Sequence, residues 1–270
     1  MKPLYQYIQQ PITPKWDGHI HLFNSSQIIH DMYDLPINNC VGFPDIEFDN
    51  INSYKDNMLT LYRRYINKYY NKNQILLATA PTAEEAINIH KKIPKLIKGF
   101  GELKLYDSYR DQKINYKKIS MVREVAKYIS TLQNPIPIYI HFSLTNSKDV
   151  QKLESLLKEY PNIPILLCHC GMEEGYEDFT YNQMVLLMKN YDNLWTDITY
   201  TACDFFLEQP MRLYNLPLDR ILLGSDINIK LFSKNHKNPK LECEVLYDKM
   251  LSLSRYVDND KNLKKLFRIH

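Results

Sequence analysis

"SKDVQKLESLLKEYPNIPILLCHCG" (residues 147–171) carries a helix and a strand back to back, and its reading decides the fold. Ser147 is a residue of the N-cap type, and Val150, Leu153, Leu156 and Leu157 share one face of the helix it would open. "PNIPILLCHCG" then follows as a buried strand. Working outward, the same alternation recurs. Upstream lie "IPIYIHFSL" (136–144), a helix over about 115–131, the strand "IKGFGELKLY" (97–106), the helix "TAEEAINIHKKI" (82–93) and the strand "QILLATAP" (74–81). Thr82 and Glu85 have the spacing of a capping box. Downstream lie the helix "YNQMVLLMKNY" (181–191) and the strands "NLWTDITY" (193–200) and "DRILLGSDIN" (219–228).

Strands alternating with helices at this spacing form parallel βαβ units. A strand ending at His19–His21 and a weakly marked one near "NNCVGFPDI" (38–46) bring the number of strands to eight. Eight such units in a chain of 270 residues predict a (β/α)8 TIM barrel, one domain spanning 1–270. The competing doubly wound sheet normally carries a glycine-rich phosphate turn, whereas this chain has 7 glycines and no G-x-G-x-x-G. The longest strand-to-helix loop, roughly Asn24 to Asn73, has one readable feature, a helix near Tyr54–Tyr70.

Composition excludes several classes of function. Hydrophobic residues make up 44% and charged residues 24%, so a sizeable core is expected. The net charge of +3 is mild. The basic clusters, Lys91-Lys92 with Lys95 and Lys98, and Lys261 with Lys264-Lys265 and Arg268, sit at helical spacing and read as solvated faces, not a phosphate track. Five cysteines without a repeated spacing read as reduced thiols. Strand alternation would turn Cys168 and Cys170 away from His169 and make them packing residues. "MKPLYQYIQQPITP" (1–14) has no apolar run for a signal peptide, and no stretch approaches a membrane span. A cytoplasmic protein without membrane contact is expected.

In such a barrel, functional side chains project from the carboxyl ends of different strands. The pair His19-x-His21 is weak evidence alone, but ligand-type residues recur at other strand ends. His141 closes "IPIYIH", His169 closes "PILLCH" and Asp226 closes "RILLGSD". Glu102 and Lys104, two apart in "GELKLY", point the same way. Imidazoles and carboxylates converging on one mouth suit zinc-like ions. Trp195, Asp197 and Thr199 share a face of the seventh strand, which favours a packing or supporting role for Asp197 and Thr199.

"DGHIHLF" (17–23) resembles the D-x-H-x-H signature of the amidohydrolase superfamily, and the order HxH, acid or lysine, His, His, Asp matches through most of the chain. "LLGSDIN" and the tail "NLKKLF" (262–267) are most similar to the amidohydrolase 2 group, compact barrels without an added β-sandwich. The resemblance implies His19 and His21 as ligands of a first metal, with Asp226 as a further ligand and general base. It implies His141 and His169 as ligands of a second metal; in one-metal members His141 joins the first and His169 touches substrate, where it could stabilise an oxyanion. The fourth-strand bridge is Glu102, as in TatD-like deoxyribonucleases, or a carboxylated Lys104, as in dihydroorotase-like members. Glu102 is favoured because it needs no modification, leaving Lys104 as a cation for an anionic substrate group.

The expected cofactor is a divalent metal, zinc in the first place, with manganese or iron as alternatives and one or two ions. A bound metal makes water nucleophilic near neutral pH and polarises a carbonyl or phosphoryl oxygen. The function implied is hydrolysis of a small amide, lactone or ester, or a related decarboxylation. The partner is then a small-molecule substrate, with the homo-oligomeric state left open. One alternative is a TatD-like metal-dependent deoxyribonuclease, the only reading that brings nucleic acid in, though no basic-aromatic track can be placed at the mouth. Another is a non-catalytic binding barrel, which has no physical need for convergent histidines.

Overall fold

β1 (Trp16–Phe23) begins a series of eight parallel strands whose hydrogen-bonded order follows the chain. The others are β2 (Asn39–Pro44), β3 (Gln74–Ala78), β4 (Ile97–Lys104), β5 (Ile138–His141), β6 (Ile165–Leu167), β7 (Leu194–Ile198) and β8 (Ile221–Leu223). Helices α1 (Met58–Lys68), α2 (Ala83–Lys92), α3 (Ile119–Ile129), α4 (Ser147–Glu159), α5 (Glu177–Asn190) and α6 (Tyr200–Glu208) alternate with them, and α7 (Pro239–Leu253) and α8 (Asn259–Phe267) follow β8. This is the (β/α)8 barrel. The computed structural model describes residues 16–23, 39–44, 58–68, 70, 72–106, 114–227 and 239–269. The N-terminal stretch 1–14 and most of the loop from Asn24 to Asn73 lie outside the described residues, although its expected helix is α1. No helix among the described residues is long and apolar enough to cross a membrane.

Strand alternation sorts the side chains into two cores. Val41, Phe43, Ile75, Leu77, Tyr139, Leu166, Trp195 and Leu222 fill the barrel. Leu76, Ala78, Ile138, Ile140, Ile165, Leu167, Leu194 and Ile198 face outward beneath the helices. The inward parity carries chemistry upward: two residues beyond Tyr139 comes His141, and two beyond Trp195 comes Asp197. Below, Leu263 and Leu266 of α8 join the inner core, and Phe267 stacks on Tyr139 with centroids 6.3 Å apart. The tail "NLKKLF" therefore plugs the barrel floor.

The seam between β8 and β1 is closed by means other than a regular ladder. At the top, Asp226 N donates to His19 O and His21 N to Ile227 O, each at 2.9 Å. Lower down, the side chain of Asn259 stands in for the missing strand contacts. Its Oδ1 accepts from Leu223 N at 2.8 Å, and its Nδ2 donates to Trp16 O at 2.7 Å and Leu223 O at 3.0 Å.

Local details depart from the expectation at three helix starts. Asn146, not Ser147, caps α4, with Oδ1 accepting from Lys148 N and Asp149 N. Asn146 takes the cap because it lies just before the first helical residue, in an extended conformation. The capping box of α2 is half made: Glu85 N donates to Thr82 Oγ1, while the Glu85 carboxylate accepts from Met58 N at the start of α1. The helix expected over 115–131 begins as a tight turn, Tyr116–Lys118, before α3.

Candidate metal centre

All the ligand-type residues marked in the sequence reach one place at the carboxyl end of the barrel. His19 and His21, two apart on β1, aim Nε2 at Asp226 Oδ1, at 3.3 and 3.2 Å. Glu102 stands among the others. Its Oε1 contacts His141 Nδ1 and lies 3.6 Å from His169 Nε2; its Oε2 lies 3.8 Å from His21 Nε2 and 3.7 Å from Lys104 Nζ. The donor atoms of His19, His21 and Asp226 lie within 4.8 Å of one another, and so do those of His19, Glu102 and His169. Glu102 thus sits between the two groups, and Lys104 approaches them through it.

Two of these side chains depend on unusual backbone. β6 stops at Leu167, and His169 and Cys170 have φ of 56° and 55°. The left-handed pair breaks the alternation and swings His169 into the centre. The expectation for the cysteines therefore holds only in part. Cys170 packs in the outer core, but Cys168 stays on the inward face, grouped with His19 and Asp197. Asp226 also has a positive φ, 52°. Such conformations are costly for residues with a Cβ and concentrate at functional sites. The glycine before it in "GSD" is steric in origin, since a Cβ on Gly224 would lie 2.6 Å from His19 Cβ.

Asp197 and Thr199 hold the histidines from behind. Asp197 Oδ2 lies 2.8 Å from His19 Nδ1, and its Oδ1 accepts from His169 N at 2.7 Å and from Thr199 Oγ1 at 3.1 Å. Thr199 Oγ1 contacts His169 Nδ1. With both Nδ1 atoms engaged, both Nε2 atoms face the centre. The shared face of the seventh strand is the signal that pointed to them.

Asp17, whose role its position does not announce, is fully buried. Its carboxylate accepts from His19 N and Ser225 N, both at 3.0 Å, from Ser225 Oγ at 2.5 Å and from Tyr247 Oη at 3.2 Å. It ties β1 to the "GSD" turn, and no local sequence signal links residues that far apart in the chain.

The charges compensate one another. Burial opposes ionisation of Glu102, yet His141 and Lys104 hold its carboxyl well below the usual range. Burial likewise opposes ionisation of Asp226, and His169, His19 and His21 hold it low. His19 is held well above the ordinary imidazole value by Asp197, against the effect of burial. His169 is raised by Asp226 and Glu102, again against burial. His141 is pushed down to about 4 by burial, which outweighs Glu102. Two buried atoms, His19 Nε2 and Glu102 Oε2, nevertheless make no hydrogen bond among the described residues. Buried polar atoms normally find partners, and a nitrogen and an oxygen left over at a common centre fit a cation.

Comparison with known proteins agrees with the architecture. A family model described as amidohydrolase matches residues 107–254, more than half the chain, including His141, His169 and Asp226. No curated protein matches the chain in sequence. Among solved structures, a zinc-bound amidohydrolase from Burkholderia multivorans superposes with a TM-score of 0.58 at 9% identity, covering 95% of this chain and all of that one. Dihydroorotase from Campylobacter jejuni gives 0.50 at 16% identity over 96% of this chain and 84% of its own. A TatD-family hydrolase from Entamoeba histolytica gives 0.50 at 12% identity over 86% and 83%. At these identities the superpositions speak for the barrel alone, and the family model carries the assignment: the chain belongs to the amidohydrolase family and is a metal-dependent hydrolase.

Proposed function

We propose that a divalent cation, zinc in the first place, is held by His19, His21, Glu102, His141, His169 and Asp226, and that the enzyme cleaves a small amide, lactone or ester. The observation that carries this reading is the convergence of six ligand-type side chains from five different strand ends, with His19 Nε2 and Glu102 Oε2 lacking hydrogen bonds among the described residues. Neutral imidazole and carboxylate form a donor set suited to zinc, manganese or iron. The zinc in the Burkholderia amidohydrolase supports a divalent ion of this class.

Glu102, whose two carboxylate oxygens face both groups of donors, would be the ligand shared between them in this reading. Lys104, protonated, has no lone pair to offer and stays outside the ligand set. A bound ion would supply a nucleophilic water near neutral pH and polarise the scissile carbonyl. The rest is done by the chain. Asp226 would accept a proton at its carboxylate and return it to the leaving group. Asp197 and Thr199 keep the Nε2 atoms of His19 and His169 turned inward. The four described cysteines, buried and unbridged, are in keeping with a reducing compartment, and we place the enzyme in the cytoplasm.

Metal analysis with a panel of uncharged lactones, esters and amides tests the reading. The expected result is near-stoichiometric zinc, manganese or iron and turnover of at least one panel member. Asp226→Asn should retain most of the metal and lose turnover. Metal-free protein with undisturbed stability would overturn the reading. Release of nucleotides from single-stranded DNA, with no turnover of the panel, would move it to a nuclease; carbon dioxide from aromatic acids would move it to a decarboxylase.

A further inference from the structure

We propose that Asp17 and Ser225 are positioning residues for Asp226: together they hold the left-handed turn that aims its carboxylate at the histidines of β1. This deepens the metal-centre reading above and rests on it. Asp226 sits at φ 52°, a conformation that persists for a residue with a Cβ only when its surroundings impose it. Here the surroundings are β1. Ser225 meets the Asp17 carboxylate twice, its N donating to Oδ1 at 3.0 Å and its Oγ to Oδ2 at 2.5 Å. The same Oγ accepts from Ile227 N at 3.2 Å, so one hydroxyl spans the strained residue from both sides. Asp226 N donates to His19 O, and Ile227 O accepts from His21 N. Each residue from 225 to 227 is therefore bonded to β1, and Asp17 supplies the charged anchor.

The anchor acts through Asp226 and not on the centre itself. Asp17 receives four donors, His19 N, Ser225 N, Ser225 Oγ and Tyr247 Oη, which occupy the about four acceptor positions of a carboxylate. No lone pair is left over for a cation or for a proton in transit. Burial makes the clamp stiff, because Asp17 and Ser225 are shielded from water that would compete for these bonds. Hydrogen bonds to a charged acceptor are also stronger than neutral ones. On the other side of Ser225 there is no slack, since a Cβ on Gly224 would lie 2.8 Å from His19 N. Tyr247 extends the clamp to α7, so the helix after β8 is joined to the turn that carries the proposed proton acceptor. A group that moves a proton must stay within hydrogen-bond reach of the atoms it serves, and small displacements cost rate.

Visible absorption of the cobalt-loaded protein tests this, because the bands report how ligands are arranged around the ion. Asp226→Asn supplies the reference change. Ser225→Ala should shift the bands in the same direction, and adding it to Asp226→Asn should change nothing further, since its effect passes through that carboxylate. Asp17→Asn, which turns an amide NH2 toward one pair of donors, should shift them likewise. With zinc and an uncharged lactone cleaved by the wild type, Ser225→Ala should lower kcat by about 10–100-fold with KM and zinc content little changed. Ser225→Thr restores the hydroxyl and should return the bands and kcat towards wild type. Tyr247→Phe keeps the ring and removes one donor, so it should give a smaller change of the same kind. Circular dichroism melts identify any variant that does not fold, and Tyr247→Phe carries the test if Ser225→Ala is one. Wild-type bands and kcat in the folded variants would overturn the proposal and leave Asp17 a strut between β1 and β8. Additive band shifts in the double variant would also overturn it, by placing the effect outside Asp226. Wild-type protein that takes up no cobalt would overturn the metal-centre reading and this proposal with it.

Discussion

His19 shows how much of a site residue a sequence can convey. Its place at a strand end was legible because an apolar run stops there, and its partners were legible as further histidines and an aspartate at other strand ends. The device that aims it was only half legible. Asp197 shares a strand face with Trp195 and Thr199, but nothing in the sequence says that one carboxylate binds His19 Nδ1 and His169 N together. Groups that orient ligands from behind commonly contribute 10–100-fold to metal affinity. Asp197→Asn, close in shape but with only one acceptor oxygen, should therefore weaken zinc binding by about that factor while the barrel stays folded. Competition with a chelating dye reads the change, and unaltered affinity would reduce Asp197 to packing. Glu102→Gln removes the negative charge of the carboxylate proposed to be shared between the two groups of donors, so metal analysis is expected to find less bound ion than in wild type.

Elements were legible where apolar periodicity and length agreed, and less so where a backbone turn or a distant side chain intervened. The strand "PNIPILLCHCG" (161–171) is marked by its apolar run, but not the left-handed pair that ends it and brings His169 inward. Nor does periodicity show how α5 is finished. Arg220, next to β8, donates to Met188 O, Tyr191 O and Leu194 O. One guanidinium thus takes up carbonyls left over at the C-terminal end of α5 and at the start of β7. Arg220→Met fills similar space and leaves those acceptors without a donor. Each buried group left unsatisfied costs roughly 1–3 kcal/mol, and partial access of water lowers the sum, so a loss of about 3 kcal/mol is expected in denaturant melts. A loss below about 0.5 kcal/mol, the range of ordinary surface changes, would mean that solvent reaches these carbonyls.

The whole barrel was legible because eight apolar runs recur with helices between them, a pattern spread over the full length. The proposed ligand set could be marked from the same count, since every member falls at a strand end. What that count does not reveal is how the centre balances its own charge, because the balance arises only when five strand ends meet. In the protein without ions, His19 and His169 have raised pKa values, so their contribution to stability is full below the ordinary imidazole value of 6.5 and is lost as pH rises through the folded values. Glu102 and Asp226 have lowered values, so theirs is present above the ordinary carboxyl values of 4.5 and 3.8 and is lost as pH falls through the folded ones. The ion-free centre therefore contributes most between the carboxyl and imidazole ranges and loses ground on the alkaline side. Metal binding has the opposite trend, because imidazole must be neutral to ligate. At free zinc 100 times its dissociation constant, binding adds about 2.7 kcal/mol, which for a chain of this size raises Tm by roughly 5–10 °C. At a fixed free zinc concentration, the gap in Tm between zinc-loaded and chelator-treated protein should widen steadily from about pH 6 to pH 8, as the imidazoles shed their protons. Scanning calorimetry across that range measures the gap directly, and one that narrows with rising pH would show that the histidines are not what the metal binds.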